Sequence, residues 1–274
     1  MKVSMPDWAG LILVVLVIMV VYGWHQQNDP RPRRAAATSS APRTSVPSTP
    51  NPNGRDIGND RELIRAVSET YDVPAGLLYG IWRKESAGLR SGFGTGAGWY
   101  LTTDLVARGG RCLREYNAAR CARWRESLRA ICNQRRGGVP ICTPDEVRTS
   151  YAFAMGPMQV LPTNVVTVRE DGTTAWTAHA VDFDRDGIVD PHSLPDAMAI
   201  TARFVRRSFE ERRTANPGAS ETDSWIWAAN SYYGSQSLGY YEGTTAGRRG
   251  IQDYWREWCD TTGLCRSGEV FAAR

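Results

Sequence analysis

The chain has 274 residues, enough for one medium domain with appendages and a substantial core. Its 42% hydrophobic content, with 10 Trp and 11 Tyr, excludes a generally disordered chain and suits sugar binding, where aromatic faces pack on pyranose C–H surfaces. Net charge is only +4, and the basic residues, all Arg apart from Lys2 and Lys84, are spread along the chain among 29 acids; this pattern argues against a nucleic-acid partner.

The first predicted element is a transmembrane helix, placed within an anchor region 1–28. No residue from Trp8 to Asn28 carries a formal charge, and Leu11–Tyr22 is almost wholly aliphatic. Trp8, Tyr22 and Trp24 sit at its ends, where aromatic rings favour the membrane interface. A cleaved signal peptide is the rival reading. Its only small-residue cleavage site, Ala35–Ala37, lies well past the apolar run and behind Arg31, Arg33 and Arg34, so a retained anchor is expected. Those three Arg, against Lys2 alone on the other side, would by themselves put the domain in the cytoplasm. The cysteines point the other way and are given more weight. Residues 29–56 carry six Pro among Ser, Thr, Ala and Asn, with no apolar periodicity, and read as an extended linker.

The globular domain is expected over 57–274. Asn59 with Glu62 forms a capping-box pattern, and Leu63, Ile64 and Val67 make the inner face of a first helix. A second helix starts at Pro74 and stops at Gly88. Further helices are expected over 113–131, 196–213 and 223–233, with few strand signals, so the fold class is mainly α (α+β). The six cysteines include no C-x-x-C pair, which disfavours zinc. Their even number and spacing favour disulfides in an oxidising compartment. Cys112, Cys121, Cys132 and Cys142 should pair among themselves in one of three ways, within a Cys-rich insertion over 95–149. Cys259 should pair with Cys265.

Three stretches carry chemistry. In the second helix Leu78, Ile81, Trp82 and Glu85 fall at i, i+3, i+4 and i+7, which sets one carboxylate on the apolar stripe at the helix C-terminus. Burial and the negative end of the helix dipole both favour the protonated acid there, the state a general acid needs. An outward-turned or Arg-paired Glu is the bland alternative. No convincing second carboxylate accompanies it, with Asp104 kept open as a partner. In Ser150–Thr163, Gly156-Pro157 forces a tight backbone path and Gln159 offers both an amide donor and an acceptor. In Asp182–Asp190, acids stand at positions 1, 3, 5 and 9 with Gly187 at 6, a Ca²⁺-loop pattern. The expected ligands of a structural Ca²⁺ are Asp182, Asp184, Asp186, the Ile188 carbonyl and Asp196, with Asp190 acting through water.

Taken together these residues resemble a known family. Lys84–Gly88 looks like the E-[ST]-x-x-G region of lysozyme-like transglycosylases. Ser150–Thr163 resembles the S-x-A-x-A-M-G-x-x-Q-x-x-P-[ST] segment of the membrane-bound lytic transglycosylase B family. The acidic loop follows as it does there, and Asp196 matches that family's closing carboxylate. Ala229-Asn230-Ser231 resembles its later Tyr-Asn-x-Ser motif, with Ala229 in place of Tyr. Pro157-Met158 also departs from the family's usual Tyr-Gly, and the four cysteines before Ser150 are not a family feature. The resemblance implies a lysozyme-like fold that acts on peptidoglycan glycan strands. Glu85 would be the single acid/base, and Ser150, Gln159, Asn230 and Tyr232 would bind substrate. The product would be 1,6-anhydro-N-acetylmuramic acid, made by an enzyme held in the inner membrane with its domain in the periplasm. A hydrolytic muramidase and a non-catalytic peptidoglycan-binding part of a secretion, conjugation or phage-related envelope machine are the alternatives.

Overall fold

The computed structural model describes residues 60–88, 100–234, 239–243 and 248–265. The expected anchor, the linker and the Asn59 cap lie outside the described residues. Among the described residues no helix is long and apolar enough to cross a membrane.

Helix α1 runs Asp60–Tyr71 and buries Leu63, Ile64 and Val67, the face its spacing predicts. Helix α2 runs Ala75–Ser86 with Pro74 as its N-cap residue. It ends a little before the expected glycine stop. Ala87 takes the left-handed conformation at φ 56°, and its N–H reaches the Arg83 carbonyl, so Glu85 lies in the last turn. A short ribbon follows, β1 (Tyr100–Leu101) paired antiparallel with β4 (Arg148–Thr149). Between them fold α3 (Thr102–Val106), α4 (Arg111–Glu115), α5 (Ala118–Cys132) and the hairpin β2–β3 (Arg135–Arg136, Val139–Pro140).

The single helix expected over 113–131 is therefore two helices. Tyr116 is extended between them, and the Asn117 side chain accepts the Arg120 N–H at 2.8 Å to start the second. Disulfides Cys112–Cys121 and Cys132–Cys142 select one of the three pairings left open by the sequence. The first ties α4 to the first turn of α5. The second ties the end of α5 to the chain leaving β3.

After a 3₁₀ turn at Pro162–Asn164 comes a hairpin, β5 (Val166–Val168) with β6 (Thr174–Trp176). The acidic loop then leads into α6 (Leu194–Ala215), the longest helix among the described residues. Helix α7 (Glu221–Tyr233) is capped by Ser220, whose hydroxyl accepts the Asp223 N–H at 3.0 Å. It packs on α6 through stacked Phe209 and Trp225 rings, 4.0 Å apart. Short α8 (Gly239–Glu242) and then α9 (Ile251–Thr262) close the described chain, with Cys259–Cys265 bonded as expected.

The sequence reading did not anticipate α9, yet it flanks the site helix. Gly76 and Gly80 form a smooth side on α2 against which it lies. A Cβ on Gly76 would meet the Trp255 indole at 2.1 Å, and one on Gly80 would meet Ile251 at 2.7 Å. Leu77, Leu78, Ile81, Trp255 and Trp258 are all buried in the core around α2.

Candidate active site

Glu85 lines a cleft of about 570 Å³ between the Cys-rich lobe and the α6–α7 side of the molecule. Three other residues singled out in the sequence line it too: Ser150, Gln159 and Tyr232. Among the described residues Glu85 is the only carboxylate in its lining. Asp104, held open as a partner, is exposed on α3 and does not line the cleft.

The environment of Glu85 matches what its helical position suggests. Burial pushes its carboxyl up to about 7; the Tyr240 hydroxyl, which donates to Oε1, and neighbouring Lys84 pull it back down. The acid is thus poised between its two forms near neutrality, the condition under which one group can both give and take a proton. Tyr240 is buried, and its ring lies 4.5 Å from the nearly parallel ring of Tyr233, at an interplanar angle of 11°. Burial and the adjacent carboxylate hold its own hydroxyl well above the ordinary tyrosine range, so it stays protonated and able to donate to Glu85.

The cleft floor is built by the Ser150–Gln159 turn. Ser150 Oγ accepts the N–H groups of Ala152 and Ala154, at 3.3 and 3.1 Å, which shapes the bend. Gln159 adopts φ 55°, and its amide donates to the Gly156 carbonyl at 2.9 Å. Its side-chain oxygen keeps acceptor capacity for a ligand. Gly156 is required here on two counts. Its φ is +65°, and a Cβ would stand 1.9 Å from the Pro191 carbonyl oxygen. Tyr232 is anchored at its hydroxyl, which donates to the Met158 carbonyl at 2.6 Å and lies 3.1 Å from Thr201 Oγ1. It therefore offers the cleft its ring more than its hydroxyl. Asn230 is not brought to the cleft wall. It is buried within α7, and its Oδ1 has no hydrogen-bond partner among the described residues.

The wall also contains Tyr116, Arg120, Trp124, Tyr233 and Gly234, which were not singled out in the sequence, and Tyr151 of the Ser150–Thr163 stretch. The Cys-rich lobe supplies Tyr116, Arg120 and Trp124. The Tyr116 and Trp124 rings meet edge to face at 4.8 Å, and Tyr116 lies nearly parallel to Tyr151 at 6.2 Å. The richness in Trp and Tyr was the only signal in the sequence.

The acidic loop lies directly behind this floor, since Pro191 touches Gly156. Ligand oxygens of Asp182, Asp184 and Asp196 all lie within 4.8 Å of one another. Asp196 is fully buried and accepts the N–H groups of Phe183 and Asp190, each at 2.7 Å. Burial, with the neighbouring carboxylates, pushes Asp196 up to about 8 and Asp184 up to about 6. Three converging acids are the kind of oxygen set that suits a hard divalent cation. Asp186 departs from the expected ligand set. It is ion-paired to Arg136 of the β2–β3 hairpin and lies outside the three-acid cluster, because a guanidinium is available on that side of the loop. Ile188 is buried and its N–H donates to Asp186 Oδ1, while Asp190 accepts the His192 N–H.

A family model described as "Transglycosylase SLT domain" matches residues 51–224. No curated protein and no solved structure matches the chain significantly.

Proposed function

The chain belongs to the transglycosylase SLT domain family, which acts on peptidoglycan, and on that premise we propose that Glu85 cuts glycan strands as a lone acid/base, releasing 1,6-anhydro-N-acetylmuramic acid ends. The observation that carries this reading is a single, burial-raised carboxylate in an aromatic-walled cleft. Protonated Glu85 donates to the glycosidic oxygen that joins N-acetylmuramic acid C1 to the O4 of the next N-acetylglucosamine. The C1–O4 bond breaks, and the substrate's own acetamido group shields the cationic C1. Glu85, now a carboxylate, takes the proton of the C6 hydroxyl as O6 bonds to C1 and closes the anhydro ring. Acid and base duties fall in sequence on one group, so the second carboxylate of ordinary glycosidases is not needed. Tyr240 aims the carboxyl, and Gln159 offers its amide to an N-acetyl or hydroxyl group.

The finer assignment is to the membrane-bound lytic transglycosylase B type. Its support is the order of the Ser150–Thr163 segment and the acidic loop, together with the convergence of the Asp182, Asp184 and Asp196 carboxylates, an arrangement that would suit a structural Ca²⁺. The oxygens of these three acids would hold the ion, and its charge would offset their repulsion. Three disulfides support an oxidising compartment, and the apolar run Leu11–Tyr22 supports a single-pass anchor, hence a periplasmic domain on the inner membrane.

The deciding experiment digests purified sacculi with wild type and Glu85→Gln and analyses the muropeptides by mass spectrometry. Wild type should release anhydro ends, and the variant should lose about 10²–10⁴-fold or more of that activity. Reducing ends in place of anhydro ends would identify a hydrolytic muramidase. Near-normal turnover by a folded Glu85→Gln protein would remove Glu85 from the chemistry.

A further inference from the structure

We propose that Arg120 is a specificity-determining residue that binds a carboxylate of the peptidoglycan strand, so that the cleft favours this anionic polymer over uncharged N-acetylglucosamine chains. The inference rests on the reading of the cleft as a peptidoglycan site.

Three observations carry it. First, Arg120 is the only cationic residue in the cleft lining among the described residues, and it faces the same space as Glu85. Second, its guanidinium has no ion pair among the described residues. In the same lobe Arg111 pairs with Glu115, Arg125 with Asp145 at 2.7 Å and Arg129 with Glu126 at 2.5 Å; Arg108, Arg114 and Arg123 have no ion pair among the described residues either, but only Arg120 of these lines the cleft. Third, the backbone that carries its exposed side chain is held: Asn117 caps the Arg120 backbone N–H, and neighbouring Cys121 is buried and bonded to Cys112. The guanidinium lies 5.6 Å from the centre of the Tyr116 ring and 6.0 Å from that of Trp124. Cation–π attraction at this range favours keeping the guanidinium beside the two rings, and its N–H groups stay available to a ligand.

An Arg fork matches a carboxylate bidentately. Peptidoglycan presents carboxylates from two sources, the stem peptides and, where peptides have been removed, the lactyl ether of N-acetylmuramic acid. N-acetylglucosamine polymers present neither. The sugar–aromatic contacts of the wall would serve both polymers alike, so charge is the element that separates them.

The test measures binding with Glu85→Gln protein, which allows titration without turnover. Three soluble probes are compared: strands that keep stem peptides, strands stripped of peptides by an amidase, and chitohexaose. Adding Arg120→Gln should weaken one charged probe about tenfold and leave chitohexaose within about twofold. Arg120→Lys should recover part of the loss, since it restores charge but not the fork. A loss confined to peptide-bearing strands assigns the stem peptide; one confined to stripped strands assigns the lactyl group. Equal loss on all three probes would reduce Arg120 to a packing residue of the aromatic wall, and no loss on any would remove it from the site; either overturns the proposal. Failure of the Glu85→Gln parent to bind any probe would instead sink the reading of the cleft itself, and the proposal with it.

Discussion

At the scale of single residues the central fact is one carboxyl held near pH 7 by burial. This has a consequence for stability with a definite sign. A Glu whose folded pKa lies above its unfolded value, about 4.3, binds more protons folded than unfolded. Its contribution is therefore fully present below about pH 4.3 and is lost as pH rises through about 7. Gln cannot titrate and still accepts the Tyr240 hydrogen bond. Glu85→Gln should then gain melting temperature over wild type progressively between pH 4.5 and 8, by about 2–4 °C for each kcal/mol recovered. The comparison cancels the similar behaviour of Asp184 and Asp196, which both proteins share. Parallel melting curves across that range would show that Glu85 is solvated like a surface acid. Spacing alone located this residue. It could not tell a cleft acid from one turned outward, because that depends on Tyr240, 155 residues away.

At the scale of elements, the turn at Gly156 and the stapled lobe decide how the cleft is made. Gly156→Ala forces a Cβ to within 1.9 Å of the Pro191 carbonyl, at a φ that L residues rarely adopt. The expected cost is about 1–3 kcal/mol or more, and the displacement would move Gln159 as well. Thermal melting should show the loss and peptidoglycan binding should weaken in parallel. The Cys112–Cys121 bridge closes a short loop next to Tyr116 and Arg120. Replacing both cysteines with Ser should cost about 2–4 kcal/mol and loosen that wall. Chemical denaturation and sugar affinity measured side by side would check this; unchanged affinity would mean that the wall keeps its shape without the bridge. The split of the expected 113–131 helix shows where sequence periodicity fails. The apolar spacing continues across Tyr116, but Asn117 competes for the backbone and starts a new helix.

At the scale of the whole molecule, the acidic loop joins parts distant in sequence. Gln134, at the end of the lobe, donates to the Val189 carbonyl at 2.7 Å and accepts the Val189 N–H at 2.9 Å. Arg136 pairs with Asp186, and Pro191 lies against Gly156. Lobe, loop and cleft floor therefore hold each other in place, and Asp196 starts α6 from the same point. A cation bound by the folded state alone stabilises by mass action, about 2.7 kcal/mol at a hundredfold excess over its dissociation constant. EDTA should accordingly lower the melting temperature of protein prepared in calcium, and Asp184→Ala should abolish that sensitivity. An unchanged melting curve, with no metal found by elemental analysis, would leave the loop as an acidic turn held by its backbone hydrogen bonds.

The sequence by itself determined the features set by local periodicity and short spacing. These are the α1 face at Leu63, Ile64 and Val67, the place of Glu85 on its helix, the Cys259–Cys265 pair and the cluster of acids around Gly187. Each depends on residues within a few turns of one another, where helix geometry and turn chemistry act directly. Only the tertiary structure decided which cysteines of the lobe pair and that Asp186 turns to Arg136. It also decided that Asn230 sinks into the core while Tyr232 reaches the cleft, that Tyr240 and α9 flank the site helix, and that Arg120 lines the cleft with Glu85. Those outcomes turn on which surfaces meet after the chain collapses, and side-chain chemistry at one position carries no record of the partner that packing brings to it.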